Sequence, residues 1–142
     1  MVATRNSASN YSPHEWAARV DLAACYRLAS HFRMTDLVHT HISARVPGTR
    51  DEFLINPYGL WFHEVTASNL VKIDVHGTKL EESPYPVNPA GFIIHAAIHE
   101  ARADAHCVMH THTRAGVAVS TLKCGLLPLS QFALRFYDRV GY

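Results

Sequence analysis

Cys107-Val108-Met109-His110-Thr111-His112-Thr113 ends an apolar run with two imidazoles two residues apart. Side chains of a β-strand alternate between faces, so residues i and i+2 point the same way. On this reading His110 and His112 project together from a strand end. Neutral imidazole suits Zn²⁺, Fe²⁺, Ni²⁺ and Co²⁺, and two on one face supply half of a tetrahedral shell at about 2.0–2.1 Å per bond. The pair is a candidate metal clip. A His-x-His pair also arises by chance in a chain with eleven histidines, so the rest of the sequence has to carry the reading.

Outward from that stretch, composition narrows the function classes. The 142 residues have the length of one domain, long enough to bury roughly two-thirds of the unfolded surface without disulfide or metal staples. Formal charge is +1, from 13 Lys and Arg against 12 Asp and Glu, with neither sign clustered. Such a surface lacks the footprint for nucleic acid or an anionic membrane, which leaves small molecules or proteins as partners. Cys25, Cys107 and Cys124 are odd in number and sit in apolar stretches. That pattern implies a reducing, cytoplasmic setting rather than a secreted disulfide framework. Met1 to Ser7 holds no apolar signal core, and no later run approaches the ~20 apolar residues of a membrane span.

Residues 1–11 are polar and rich in Ser and Asn, and read as a flexible arm before a domain over 12–142. Ser12-Pro13-His14-Glu15 is a capping box with proline at the first helical position, where its missing N–H costs nothing. Trp16, Val20, Ala24, Leu28 and Phe32 recur every four residues and are expected to form the inward stripe of this helix. Arg19, Asp21 and Arg27 are then its solvated face. Thr40–Arg45 and Glu52–Ile55 alternate as strands, and Pro47-Gly48-Thr49-Arg50-Asp51 between them predicts a hairpin. Asn56-Pro57-Tyr58-Gly59 is another turn, Leu70–Val75 another strand, and His76-Gly77-Thr78 a tight reversal, giving a meander rather than a βαβ repeat.

Glu81–Pro89 contains three prolines and predicts an extended loop. Asn88 can cap the next helix with Pro89 in its first turn, and Phe92–Ala101 is apolar enough to be buried on most sides. His95 and His99, four apart, can chelate a metal from one face or serve as hydrogen-bonded interior histidines. Lacking a third partner, the interior reading is preferred. Ala105–His110 is the strand carrying the focal pair. Thr111–Lys123 predicts a helix with Val117 and Leu122 inward and Gly125 as its stop. Leu126–Ser130 reads as extended and Gln131–Val140 as a further apolar segment, with no internal repeat anywhere.

From about Ala17 to the last residue this order of elements resembles the class II aldolase/adducin family. The stretches that carry the likeness begin with His41-Ile42-Ser43-Ala44-Arg45-Val46, Phe53-Leu54-Ile55-Asn56-Pro57-Tyr58-Gly59-Leu60 and Val65 to Asp74. Asn88-Pro89-Ala90-Gly91-Phe92, His95-Ala96-Ala97-Ile98, Val108 to His112 and Lys123-Cys124-Gly125-Leu126-Leu127-Pro128 follow. The likeness is greatest to adducin head domains and their stand-alone relatives. It implies an α/β fold, a three-layer α/β/α domain around a largely antiparallel sheet. It also implies assembly as a homotetramer, a small-molecule carbonyl substrate and a place in carbohydrate metabolism.

In the family's aldolases a divalent metal ion, generally zinc, is held by the His-x-His pair and by a third histidine downstream. His110 and His112 match the pair. The third position falls beyond Tyr142, together with the last strands and helix, so the domain reads as truncated at its C-terminus. Gly91 stands where the aldolases place their acid/base glutamate, which leaves the catalytic residue unknown. Losing such a group costs about 10²–10⁴-fold, unless Glu81, Glu82, Tyr58 or a substrate group substitutes. A Gly91→Glu variant is on this reading expected to gain aldol activity.

Thr40-His41, Tyr58-Gly59 and Pro89-Ala90 take the places of the aldolases' phosphate cradle, which makes His41, Tyr58 and Gly59 the candidate substrate-binding residues. Proline and alanine forfeit hydrogen bonds at roughly 0.5–1.5 kcal/mol each, so a phosphosugar is not the favoured ligand, although His41 as a cation returns part of the loss. Two readings follow. One is a metal-dependent aldehyde-lyase acting on a C–C bond next to a carbonyl of a small hydroxy-carbonyl compound. The other is a catalytically inactive adducin-like protein-interaction domain, and in either case the activity can belong to a longer parent chain.

Overall fold

The computed structural model describes residues 8–141. Of the arm expected over 1–11, residues 1–7 lie outside the described residues, and Ala8–Asn10 form a single 3-10 turn. The chain divides into two compact units, the first running to Thr111 and the second from His112.

The first unit opens with α1 (Pro13–His31), capped by Ser12 as its sequence predicts, the Ser12 hydroxyl accepting from the Glu15 N–H at 3.1 Å. A four-stranded sheet follows, made of β1 (His41–Arg45), β2 (Glu52–Ile55), β3 (Val71–Asp74) and β4 (Cys107–His110). Its order is β3-β2-β1-β4, and every neighbouring pair is antiparallel. Gly48 at φ +83° turns the β1–β2 hairpin, and Asp74 Oδ1 accepts from the N–H groups of His76 and Thr78 to close the reversal after β3. Both turns sit where local sequence chemistry puts them, because Gly and Asp each solve a turn within three or four residues.

Period-two alternation sorts the strand residues onto two faces. Ile42 and Leu54 look toward α1, where Leu22, Tyr26, Ala29, Phe62, Val65 and Leu70 complete one core cluster. Phe53, Ile55, Val71 and Ile73 look the other way and pack with Ala96 of α2 (Pro89–Ala101). The unit is therefore helix, sheet, helix, the three layers that the family resemblance implies. Burying each of these large apolar side chains contributes about 1.5–3 kcal/mol. Tyr26 joins helix to sheet: its hydroxyl takes the N–H groups of Ile42 and Asn56 at 2.9 and 3.1 Å. Burial pushes that phenol well above its ordinary pKa, so it stays neutral.

Three expectations from the sequence need correction. The inward face of α1 is Glu15, Arg19, Leu22, Ala23, Tyr26 and Ala29, while Val20, Leu28 and Phe32 are exposed. A repeat of four advances about 40° around a helix at each step, so residues 16, 20, 24, 28 and 32 spiral off any single face. Second, α2 is not buried on most sides: Ile93 and Ile94 are exposed, and the residues it buries are Gly91, His95, Ala96 and His99. Third, in the second unit α3 spans only Arg114–Ser120, capped by Thr113, with Val117 and Leu122 exposed. Gly125 at φ +62° makes the predicted stop. A 3-10 turn over Ala133–Phe136 follows. No helix among the described residues is long and apolar enough to cross a membrane.

Candidate functional site

Strand β1 and helix α2 face each other in register. Two residues along a strand advance about 6.8 Å and four along a helix about 6 Å, so His41, Ser43 and Arg45 can meet His95 and His99 in step. They do, in an unbroken row. His99 Nδ1 lies 3.1 Å from the Ala105 carbonyl, and its Nε2 lies 2.8 Å from Ser43 Oγ. Ser43 Oγ lies 2.6 Å from His95 Nδ1, and His95 Nε2 lies 2.7 Å from His41 Nδ1. His41 Nε2 lies 3.0 Å from Nδ1 of His110, its direct partner in the β1–β4 register.

The row is buried. Ser43 and His95 are fully inaccessible, and His41 and His99 are 2% exposed. Burial, reinforced by the charges that His41, His99 and His110 would carry, holds His95 down to about 3, so its ring is neutral at ordinary pH. Burial likewise lowers His99, with the Arg45 guanidinium acting in the same direction. The Arg45 guanidinium also donates to the His99 carbonyl at 2.6 Å, which ties the end of α2 to β1.

Of the metal candidates, His110 closes β4 inside this row. His112 lies two residues on, half-buried and outside regular structure, at the start of the second unit. Among the described residues no group of three or more His, Cys, Asp or Glu side chains is arranged to hold an ion. His95 and His99 are satisfied by hydrogen bonds to His41, Ser43 and the Ala105 carbonyl, the interior reading of their spacing. A metal-binding histidine characteristically gives its other ring nitrogen to a hydrogen-bond partner, and His110 has that feature in His41. The donor chemistry of His110 therefore suits one position in the shell of a divalent ion.

The substrate candidates fall on two stretches, His41 on β1 and Tyr58 and Gly59 in the loop after β2. Tyr58 is 37% exposed, with its N–H on the Pro86 carbonyl, and Gly59 turns beside it at φ +97°. His41 lies within the row. Gly91 presses on it: a Cβ at residue 91 would lie 2.9 Å from His41 Cδ2 and 3.0 Å from its Cγ. The imidazole thus fills the space a longer side chain at 91 would need, and Gly91→Glu alone cannot be expected to restore aldol chemistry. Glu81, one possible stand-in, is engaged by buried Arg19, whose Nη2 reaches both carboxylate oxygens at 2.8 Å. Sequence reading missed Ser43 and His41 as partners of α2. The signal was there, in a His-x-Ser-x-Arg strand and a His-x₃-His helix, but nothing local says that the two meet.

In the second unit a depression of about 460 Å³ is lined by Ala115, Gly116, Val119, Ser120, Leu126 and Val140. Among the described residues its lining offers no acid, base or metal ligand. Cys25, Cys107 and Cys124 form no disulfide.

Residues 20–142 match the family described as Class II Aldolase and Adducin N-terminal domain. A Pseudomonas aeruginosa protein bearing an aldolase class 2 name is 61% identical over 131 residues, 92% of this chain and 50% of that protein. Mouse alpha-adducin is 47% identical over 130 residues, 90% of this chain and 18% of its own length. Among solved structures, an aldolase II superfamily protein from Pseudomonas syringae superposes with a TM-score of 0.91 at 55% identity, over 94% of this chain and 54% of that one. L-fuculose 1-phosphate aldolase from Glaciozyma antarctica superposes with a TM-score of 0.83 at 31% identity, over 87% of this chain and 51% of that one. The chain spans about half the length of the curated aldolase-type relatives it matches.

Proposed function

The chain belongs to the class II aldolase and adducin family, and from that premise we propose that it is the metal-holding part of a lyase cleaving a C–C bond next to the carbonyl of a small hydroxy-carbonyl compound. The observation that carries this reading is the 3.0 Å contact from His41 Nε2 to His110 Nδ1, which commits one nitrogen of His110 to the protein. Nε2 is then the nitrogen with which His110 would bind an ion, and His112 would be the second donor. Imidazole donors suit zinc first. When bound, such an ion supplies Lewis-acid polarisation of a substrate carbonyl.

The chain's own residues divide the remaining work. His41 orients His110, while Tyr58 and the Gly59 turn offer a phenol and an open backbone to substrate hydroxyls. Gly91 carries no proton, so proton movement falls to another group or to the substrate. Assembly as a homotetramer and a cytoplasmic setting belong to this reading, and the likeness to an L-fuculose 1-phosphate aldolase supports it.

A second reading, a non-catalytic adducin-like interaction domain, is favoured by the His41 ring packed on Gly91 and by the likeness to alpha-adducin. Elemental analysis after dialysis against Zn²⁺ separates them. The wild-type chain is expected to retain metal that a His110→Ala/His112→Ala variant loses; equal content in both refutes the clip. Metal retention without aldehyde release from any of a panel of hydroxy-aldehydes and hydroxy-ketones leaves the adducin-like reading.

A further inference from the structure

The row from Ala105 to His110 has a direction. A carbonyl oxygen only accepts, so the ring proton of neutral His99 sits on Nδ1, facing Ala105 O at 3.1 Å. Arg45 Nη2 lies farther from that nitrogen, at 3.5 Å, and spends its short bond on the His99 carbonyl. His99 Nε2 is thereby the acceptor, and the Ser43 hydroxyl donates to it. Ser43 Oγ, its proton used, accepts from His95 Nδ1–H. His95 Nε2 then accepts from His41 Nδ1–H, and His41 Nε2 from His110 Nδ1–H. One carbonyl fixes the proton on four rings.

We propose that His99, Ser43, His95 and His41 form a one-way hydrogen-bond relay that locks His110 in its Nδ1–H tautomer and so assigns its lone pair to Nε2. All four are positioning residues. The relay is not a proton wire, because it ends on a backbone carbonyl that cannot take up a proton. Its direction follows from the contacts themselves, since the acceptor-only Ala105 carbonyl sits at one end and each later member meets a neighbour whose proton is already spent. The locked form is the one an imidazole disfavours in water, where Nε2–H predominates, so the row imposes it. Its use is to present Nε2 to an ion. That consequence rests on the metal reading above, whereas the tautomer itself does not.

Multiple-bond ¹H–¹⁵N correlation spectra of the ¹⁵N-labelled 142-residue chain, in EDTA at pH 8, test the relay without metal. His41, His95, His99 and His110 are all expected as Nδ1–H; an Nε2–H form at His41 or His110 in the wild type overturns the proposal and needs no variant. Ser43→Ala removes the hydroxyl in mid-row and is expected to shift the ¹⁵N signals of His95, His41 and His110 toward the Nε2–H form. Ser43→Thr, which keeps the hydroxyl, is expected to restore them. An unshifted His110 in a folded Ser43→Ala chain also overturns it. Zn²⁺ titration supplies the separate arm: Ser43→Ala is expected to bind about 10–100-fold more weakly than wild type. Four Nδ1–H rings in a wild type that binds no Zn²⁺ would sink the metal reading and leave the relay standing.

Discussion

Gly91 matters for what it lacks. Alanine is the better helix former by about 1 kcal/mol in a helix interior, yet a Cβ here meets the His41 ring at 2.9 Å. That ring cannot give way cheaply, because His95 and His110 hold its two nitrogens. Overpacking against a fixed neighbour costs about 1–3 kcal/mol, so Gly91→Ala is expected to lower stability by about 1–2 kcal/mol, read as a fall in the urea midpoint. Made in a His41→Ala background, the same change should cost nothing or stabilise. A double-mutant cycle with no coupling would show that the ring moves freely. The sequence exposed half of this relationship. Gly91 was visible as a departure from the family's glutamate, but its reason, an imidazole from 50 residues upstream, is a tertiary contact that no local pattern encodes.

At the scale of elements, caps and turns were readable and helix orientation was not. Ser12 and Asn88 cap where expected, since a capping side chain bonds to N–H groups two or three residues away. The inward stripe of α1 instead follows spacings of four and three through Glu15, Arg19, Leu22, Tyr26 and Ala29, and two of its members are charged. Arg19 is fully buried, bonded to Glu15 at 3.0 Å, to the Leu70 carbonyl at 3.2 Å and to Glu81. Its guanidinium pins α1 to the segment before β3 and to the loop after it. Removing one partner of a buried ion network strands the others, at about 3–5 kcal/mol. Arg19→Ala is therefore expected to cost that much in urea unfolding, whereas Asp21→Ala, exposed on the same helix, should stay within about 0.5 kcal/mol. Similar losses for the two would return Arg19 to a solvated face.

For the whole molecule, alternation showed the strands, the family resemblance implied the layers, and neither showed the content of the layer between β1 and α2. An apolar helix predicts an apolar interface, yet α2 turns its isoleucines outward and buries two histidines against a strand serine. Such an interior makes stability depend on acid. An unfolded histidine titrates near 6.5, while folded His95 is held to about 3. Between these values the unfolded chain binds the additional proton, so stability is fully present above about pH 6.5 and falls as the pH drops. From pH 7 to 5, a single histidine with that displacement contributes a loss of about 2 kcal/mol, and His99, also lowered, adds to it with the same sign. Across this window most carboxylates, with ordinary values near 4, remain ionised and contribute little. The groups facing His95 are His41, Ser43, His99 and, beyond them, His110, and none is a carboxylate that would offset the trend. Urea unfolding of the metal-free chain at half-unit steps should show the decline, and in His95→Asn the slope should fall by close to one proton. Parallel slopes in the two chains would mean that His95 is already protonated, or already exposed, in the folded protein, and the relay would lose the neutral ring on which its direction depends.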